Sequence, residues 1–374
     1  MTRQFHFGSG PATLPLEVLE EAREALLELP GEGLGVLELP HRGPGYERIH
    51  GEAEAAVRRL LGADEAWAAL FLQGGASLQF ALVPMNLGPD GDVAVTGTWT
   101  QKALEEARRL GGAARAAADT GATNFDRLPD ALDLRPGASY LHIASNETIH
   151  GVQWPALPAS AAPLVVDASS DILARPLDLA RCGVVFAGAQ KNLGAAGVTL
   201  VLVRRALLDR APATLPAILS WRAHAAAGSA LNTPPVFAVF VLGLMLRWTE
   251  RQGGVEALAA RNAARAARLY AALDARPDVY AVHARPGARS TVNVPFRLAT
   301  PALEAAFLEG AAREGLLGLA GHRSVGGVRA SLYNAMPDAG VARLIAWVEA
   351  FAAEARAAGA PAPPAPAPAA GARA

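Results

Sequence analysis

Val184-Val185-Phe186-Ala187-Gly188-Ala189-Gln190-Lys191-Asn192-Leu193-Gly194 reads as a buried strand that runs directly into a lysine. Its apolar residues are continuous rather than alternating. Both faces of such a strand meet protein, as in a sheet covered by helices on both sides. Lys191 follows among small residues and glycines, an unusual place for a solvated charge. The apolar run before it, Pro163-Leu164-Val165-Val166-Asp167, ends on an acid. Ligands of open α/β sheets bind outside the carboxyl ends of the strands. Two neighbouring strands of this kind therefore present an amine and a carboxylate at one edge.

Working outward, the same texture repeats. Ala68 to Leu72, Val93 to Val95, Tyr140 to Ala144 and Val198 to Val203 are further short apolar runs, the last close enough to Val184–Ala187 to pair as a hairpin-like neighbour. Helical spacings separate them: Pro15 to Leu29 with Leu16, Leu19, Ala22, Leu26 and Leu29, then Glu47 to Leu61, a helix from Leu78, and Thr100 to Leu110. Strands alternating with helices predict an α/β fold with a mostly parallel sheet flanked by helices. Beyond Gly253-Gly254 the pattern changes. A long Arg/Ala helix, Val255 to Leu273, leads to strands at Val279–His283, Thr291–Phe296 and Gly327–Leu332, with helices from Pro301 and Ala339. This predicts a smaller α+β domain. The expected division is a large domain over 16–252 and a small one over 1–15 and 253–356. An Ala/Pro stretch, 357–374, has the composition of a disordered tail.

Bulk properties exclude several classes. The 374 residues carry 34 basic and 35 acidic side chains, a formal net charge of -1. No global field favours nucleic acid or an anionic membrane, so neither is expected as a partner. A single cysteine, Cys182, allows no internal disulfide, and no residues have zinc-ligand spacing; no metal is expected. The longest apolar run, Val236 to Leu246, is shorter than the about 20 residues a bilayer requires and reads as a buried helix. No signal peptide is evident at the start. A cytoplasmic location is the expectation.

The candidate chemistry centres on Lys191 and Asp167. Burial lowers the pKa of a lysine and lets it bond covalently to an aldehyde. A neighbouring carboxylate can keep a pyridine nitrogen protonated. Pyridoxal 5'-phosphate (PLP) needs both groups. Gly74-Gly75-Ala76-Ser77 opens a helix after a strand, a ready anion site for the cofactor's phosphate. Trp99, after the next strand, can stack on a ring. His41-Arg42-Gly43 and Gly321-His322-Arg323 repeat one chemistry, an imidazole beside a guanidinium, and Arg329 adds a third fork for carboxylate or phosphate. These groups predict a small substrate with more than one negative charge.

From Phe5 to about Phe351 the chain resembles the phosphoserine aminotransferase family. The resemblance rests on motifs in the family's order. They are Gly8-Ser9-Gly10-Pro11-Ala12, Ser145-Asn146-Glu147-Thr148-Ile149-His150-Gly151, Gly188-Ala189-Gln190-Lys191-Asn192, Asn232-Thr233-Pro234-Pro235, Gly321-His322-Arg323-Ser324-Val325-Gly326-Gly327 and Ser331-Leu332-Tyr333-Asn334-Ala335-Met336-Pro337. It implies a fold-type-I PLP enzyme and a homodimer with shared active sites. The implied reaction moves an amino group between L-glutamate and 3-phosphohydroxypyruvate, with 4-phosphohydroxythreonine a further substrate of some members. It implies that Lys191 holds the cofactor covalently, Asp167 faces the pyridine nitrogen and Trp99 stacks on the ring. Ala76, Ser77 and Gln190 would hold the phosphate, and Thr148 the region of the ring oxygen. Asn232 and Thr233 would reach the cofactor phosphate of the other subunit. Ser9 and Arg42 would contact the amino-acid substrate, Arg329 its carboxylate, and His41, His322 and Arg323 its phosphate. Two positions depart from some members: Ser77 stands where they carry arginine, and His150 where they carry an acid. The rivals are another class V aminotransferase of small substrates and a non-catalytic PLP-binding descendant. Cysteine desulfurase chemistry would require a mobile Cys182.

Overall fold

The computed structural model describes residues 3–363. The stretch 364–374, most of the expected tail, lies outside the described residues. Seven strands form the main sheet: Trp67–Leu72 (β1), Asp92–Val95 (β2), Arg115–Asp119 (β3), Leu141–Ala144 (β4), Leu164–Asp167 (β5), Cys182–Gly188 (β6) and Thr199–Arg204 (β7). Their spatial order is β1-β7-β6-β5-β4-β2-β3. β7 runs antiparallel to both β1 and β6, and every other pairing is parallel. The hairpin-like neighbour expected after the lysine strand is thus β7. The apolar runs β4 to β6 are buried at every position, as continuous hydrophobicity requires.

β3 was not expected from sequence. Its Arg-Ala-Ala-Ala-Asp has no β-branched or aromatic residue, and it lies at the sheet edge. It forms because β2 offers it a parallel ladder, a tertiary cause.

Helices Leu16–Leu27 (α1), Pro44–Leu61 (α2), Gly75–Leu87 (α3), Thr98–Arg109 (α4), Trp221–Ala226 (α5) and Val236–Arg251 (α6) accompany this sheet. α6 is the expected buried helix; its Phe240, Leu242, Leu244 and Leu246 lie in the main core. Among the described residues no helix is long and apolar enough to cross a membrane. One helical face differs from expectation. α1 buries Val18, Ala22 and Ala25, while Leu16, Leu19 and Leu26 stay substantially exposed. A stripe of leucines at helical spacing identified the helix but not its inward face.

Residues from 254 onward build a second core. Gly254–Asp274 (α7), Pro301–Arg313 (α8) and Asp338–Ala357 (α9) pack on an antiparallel sheet of Ala281–Val282 (β8), Asn293–Arg297 (β9) and Val328–Ser331 (β10). Phe296, Phe307 and Tyr280 meet edge to face there, at 5.6–6.1 Å between ring centres. Burying a ring such as Phe307 contributes about 1.5–3 kcal/mol. α7 serves both cores: Val255 and Leu258 face the main one, Ala266 to Leu273 the second. The chain start joins the second core. Phe5–His6 pairs in parallel with Leu316–Leu317, and Phe7 is fully buried. This pairing delivers Ser9 to the site described below.

A further buried cluster, against the main sheet, encloses a titratable group. His142, on β4, lies between Phe80 and Phe186 with Nε2 lacking a hydrogen-bond partner. Burial holds its pKa down to about 3. Burial does the same to His150, helped by the charges of His283, His322 and Arg329. An unfolded histidine titrates near 6.5. Between those values the unfolded chain binds more protons than the folded one, so stability falls as pH drops from about 6.5 towards 3. It is fully present above that window. Each histidine adds a slope of about 1.4 kcal/mol per pH unit. Urea unfolding at pH 7.5 and pH 5 should therefore show a lower midpoint at pH 5, and His142→Leu should shrink the difference. An undiminished difference in His142→Leu would exclude His142 as a source.

Candidate active site

The turn after β6 and the end of β5 meet at one edge of the main sheet. Asp167 closes β5, opposite Phe186 of β6 in register. Lys191 lies three residues past β6. Both line one cavity of about 320 Å³, together with Ser9, Ala76, Ser77, Trp99, Thr148, Gln190, His322 and Arg329. Ten of the residues singled out from sequence thus converge, from segments as far apart as the chain start and β10.

Local reasons place each of them. Gly74 ends the turn out of β1 with φ +91°, and a Cβ there would overlap Leu78. The chain can then enter α3 at Gly75 rather than at Leu78, where periodicity had put the start. The first N–H groups of α3, at Gly75, Ala76 and Ser77, have no partner within the helix and suit an anion. Trp99 lies in the first turn of α4. Its backbone N–H donates to Glu147 Oε2 at 3.1 Å, and the Thr100 N–H donates to Glu147 Oε1 at 3.0 Å. Glu147 is fully buried. Gly97 makes room for it, since a Cβ at that position would overlap the carboxylate.

Lys191 Nζ donates to Thr148 Oγ1 at 3.0 Å and sits 5.6 Å from the Trp99 ring centre. Burial pushes its pKa down, against the pull of Asp167 and Glu147. Burial pushes the Asp167 carboxyl up, against Lys191 and the hydrogen bonds of Ser169. One of those bonds runs from the Ser169 N–H to Asp167 Oδ1 at 2.9 Å. The two groups are thus driven towards an uncharged amine and a carboxyl that a cation would re-ionise. An amine able to bond an aldehyde, a carboxyl for a ring nitrogen, an indole beside them and free helix N–H groups for a phosphate form the donor set PLP requires. The residues present fit that cofactor.

Arg329 is 7% exposed. Its Nη2 donates to Ser9 Oγ at 2.6 Å, its Nη1 to the Thr148 carbonyl at 3.5 Å, and its Nε has no partner. Tyr333 Oη donates to the Ser9 carbonyl at 2.7 Å and fixes that loop. Among the described residues no carboxylate pairs with this guanidinium. A buried cation without a counter-ion calls for an anionic ligand.

Five expected residues do not line the cavity of the single chain. Arg42 and Arg323 are exposed, and His41 is half-buried on the loop before α2. Asn232 Nδ2 donates to Gln73 Oε1 at 3.0 Å, and Gln73 Nε2 donates to the Thr233 carbonyl at 2.7 Å. Those two therefore flank the turn that precedes α3 rather than its anion-binding face. His150, the departure noted above, is buried behind the site, with Nδ1 unpartnered and its ring 5.5 Å from that of His283. Sequence reasoning gave no role to Glu147, Ser169 or Tyr333. Glu147 and Tyr333 stand inside the quoted motifs, which was the only available signal.

Comparison with known proteins agrees with this geometry. The family model described as aminotransferase class-V matches residues 4–344. A phosphoserine aminotransferase of Aromatoleum aromaticum is 48% identical, over 94% of this chain and 99% of its own length. The structure of phosphoserine aminotransferase from Bacillus circulans subsp. alkalophilus superposes with a TM-score of 0.91 at 42% identity, covering 94% of this chain and 99% of that one. PLP-bound phosphoserine aminotransferase from Trichomonas vaginalis gives 0.89 at 35% identity, over 93% and 100%.

Proposed function

The chain belongs to the class-V aminotransferase family, and from that premise we propose that it moves an amino group between L-glutamate and 3-phosphohydroxypyruvate, forming O-phospho-L-serine and 2-oxoglutarate, with PLP as cofactor. The observation that carries this is the shared cavity, in which Lys191 and Asp167 lie beside a buried guanidinium that has no counter-ion. The relatives named phosphoserine aminotransferase, similar over nearly the whole chain, supply the substrate pair. The product places the reaction in serine biosynthesis.

Lys191 would hold the cofactor's aldehyde carbon, Asp167 its ring nitrogen, Trp99 its ring face, and the N-terminus of α3 with Gln190 its phosphate. PLP bound there supplies the electron sink that stabilises a carbanion at the substrate's Cα. Arg329, steadied by Ser9, holds the substrate's α-carboxylate and so fixes Cα near Lys191. The Lys191 amine, lowered in pKa by burial, takes the Cα proton from glutamate and later returns a proton to Cα of the incoming keto acid. Trp99 and Thr148 keep that amine in place between the two transfers. 2-Oxoglutarate leaves before the phospho-keto acid enters, so initial-rate plots should be parallel.

The site is completed by a second copy of the chain in this reading. His41, Arg42, Asn232 and Thr233 lie away from their own cavity, and Leu27 and Leu37, shortly before His41 in sequence, are 84% and 65% exposed. A two-fold dimer that covers these leucines would bring the four polar residues to its partner's cavity. The division into a large and a small domain near residue 253 belongs to the same reading, supported by the two separate cores. So does a cytoplasmic location. Cys182 is buried, and burial pushes its thiol up to about 12, which disfavours a role as nucleophile.

The test is spectroscopic. Purified protein reconstituted with PLP should absorb in the visible. L-Glutamate should shift that band towards the amine form of the cofactor, and 3-phosphohydroxypyruvate should restore it. No visible band after reconstitution would remove the cofactor and the reaction together. Restoration by glyoxylate but not by the phospho-keto acid would move the chain to a different substrate class.

A further inference from the structure

Of the 34 basic residues only two are lysines, Lys102 and Lys191; arginine stands everywhere else. Both ammonium groups lie over the same indole. Lys102 Nζ is 5.0 Å and Lys191 Nζ 5.6 Å from the Trp99 ring centre. Lys191 is accounted for by the chemistry above. Lys102 is not.

Lys102 follows Trp99 by three residues on α4, so the two side chains share a face of the helix. The same helix offers it Glu105 and Glu106, three and four residues on. Glu106 pairs with Arg109 instead, and among the described residues Lys102 has no ion-pair partner. Its exposed ammonium rests on an aromatic face that borders the active cavity. On the cavity side its charged neighbours include cations. His322 lines the cavity, and its imidazole is held below the ordinary value by burial and then by the charges of Arg329, Lys102 and Arg323. At this side of the cavity Lys102, Arg323, Arg329 and His322 act on one another as like charges, and an anionic ligand relieves that repulsion.

We propose that Lys102 is a further substrate-binding residue, an ammonium at the cavity rim that engages the substrate's distal anionic group, phosphate above all. The proposal rests on the phospho-substrate reading of the cavity given above. An ammonium suits this task better than a guanidinium. It is a compact charge with three rotatable donors on a flexible stem, able to leave the indole and meet a phosphate oxygen. A guanidinium at position 102 would lay its plane on Trp99 and be held there by stacking. That difference accounts for a lysine at this place in a chain whose other surface cations are arginines.

Lys102→Met and Lys102→Arg, compared with the PLP-loaded wild type, test it. For O-phospho-L-serine, Lys102→Met should lower kcat/KM about tenfold through KM, with kcat nearly unchanged. For L-glutamate, whose distal group carries one charge, the loss should be about threefold. Lys102→Arg should recover less than half of the loss, and high salt should narrow the gap between wild type and Lys102→Met. Calorimetry with inorganic phosphate should show about tenfold weaker binding by Lys102→Met. Equal KM values in wild type and Lys102→Met overturn the proposal, as does a fall in kcat alone or full recovery by arginine. If the wild type does not turn over O-phospho-L-serine at all, it is the reading of the cavity that fails. Phosphate calorimetry then still decides Lys102, with unchanged affinity counting against it.

Discussion

Lys191→Ala is expected to lose about 10⁴ in kcat, the upper range of what a positioned acid–base group contributes. The loss should be this large because one amine serves three ends. It holds the cofactor, it takes the Cα proton and it returns one. No other amine can stand in, since the only other lysine is Lys102, at the rim. Thr148 Oγ1, 3.0 Å from Lys191 Nζ, is a hydroxyl with no tendency to accept a proton at neutral pH. Small exogenous amines such as methylamine should restore part of the rate by entering the space the side chain leaves. Attachment can be checked without turnover. Borohydride reduction of the PLP-loaded wild type, followed by peptide mass mapping, should place the label on Lys191. Label on Lys102, or a Lys191→Ala variant with turnover near wild type, would sink the assignment.

The parts of this site that the sequence made legible share one property: they depend on neighbours in sequence. The strands Leu164–Asp167 and Cys182–Gly188 are short apolar runs; Asp167 ends the first and Lys191 follows the second by three residues. The rule that ligands bind beyond strand ends then joins the two residues without knowledge of the fold. The glycine turn before α3 was legible for the same reason. What was hidden depends on tertiary partners. Arg115–Asp119 looks like a piece of helix and becomes a strand only beside Asp92–Val95. Ser9 meets Arg329 across 320 positions of sequence, a contact created by the two-residue pairing of Phe5–His6 with Leu316–Leu317. Glu147 anchors Trp99 through backbone N–H groups, which carry no sequence signature. α1 shows the same limit in a core: Leu16, Leu19 and Leu26 mark the helix, yet the smaller Val18, Ala22 and Ala25 face inward. His41, Arg42, Asn232 and Thr233 were assigned by resemblance alone, and a single chain does not bring them to its own cavity.

Replacing Arg329 by leucine should move activity and stability in opposite directions. The guanidinium is buried, and burial pushes its pKa down. Its hydrogen bonds go to neutral oxygens, of Ser9 and Thr148, and Nε has none. In the free protein it is therefore a desolvated charge with hydrogen bonds but no counter-ion, a condition that lowers stability. The α-carboxylate of either substrate supplies the missing charge through a two-pronged contact. Removing one partner of a buried charge pair costs about 2–5 kcal/mol of binding, so Arg329→Leu should lose about 30-fold to several thousand-fold in kcat/KM. The loss should be similar for glutamate and for the phospho-substrate, because both carry the carboxylate. The urea midpoint of the unliganded protein should hold or rise, by about 1 kcal/mol or more in stability, as charged groups give way to an apolar side chain. Arg329→Lys keeps the charge and loses the planar fork, so it should regain only part of the activity and none of the stability. A substrate-selective loss would mean that Arg329 reads the distal group and not the carboxylate. A destabilised Arg329→Leu would mean that its bonds to Ser9 and Thr148 hold the chain start in place, so that the charge is a structural tie before it is a binding site.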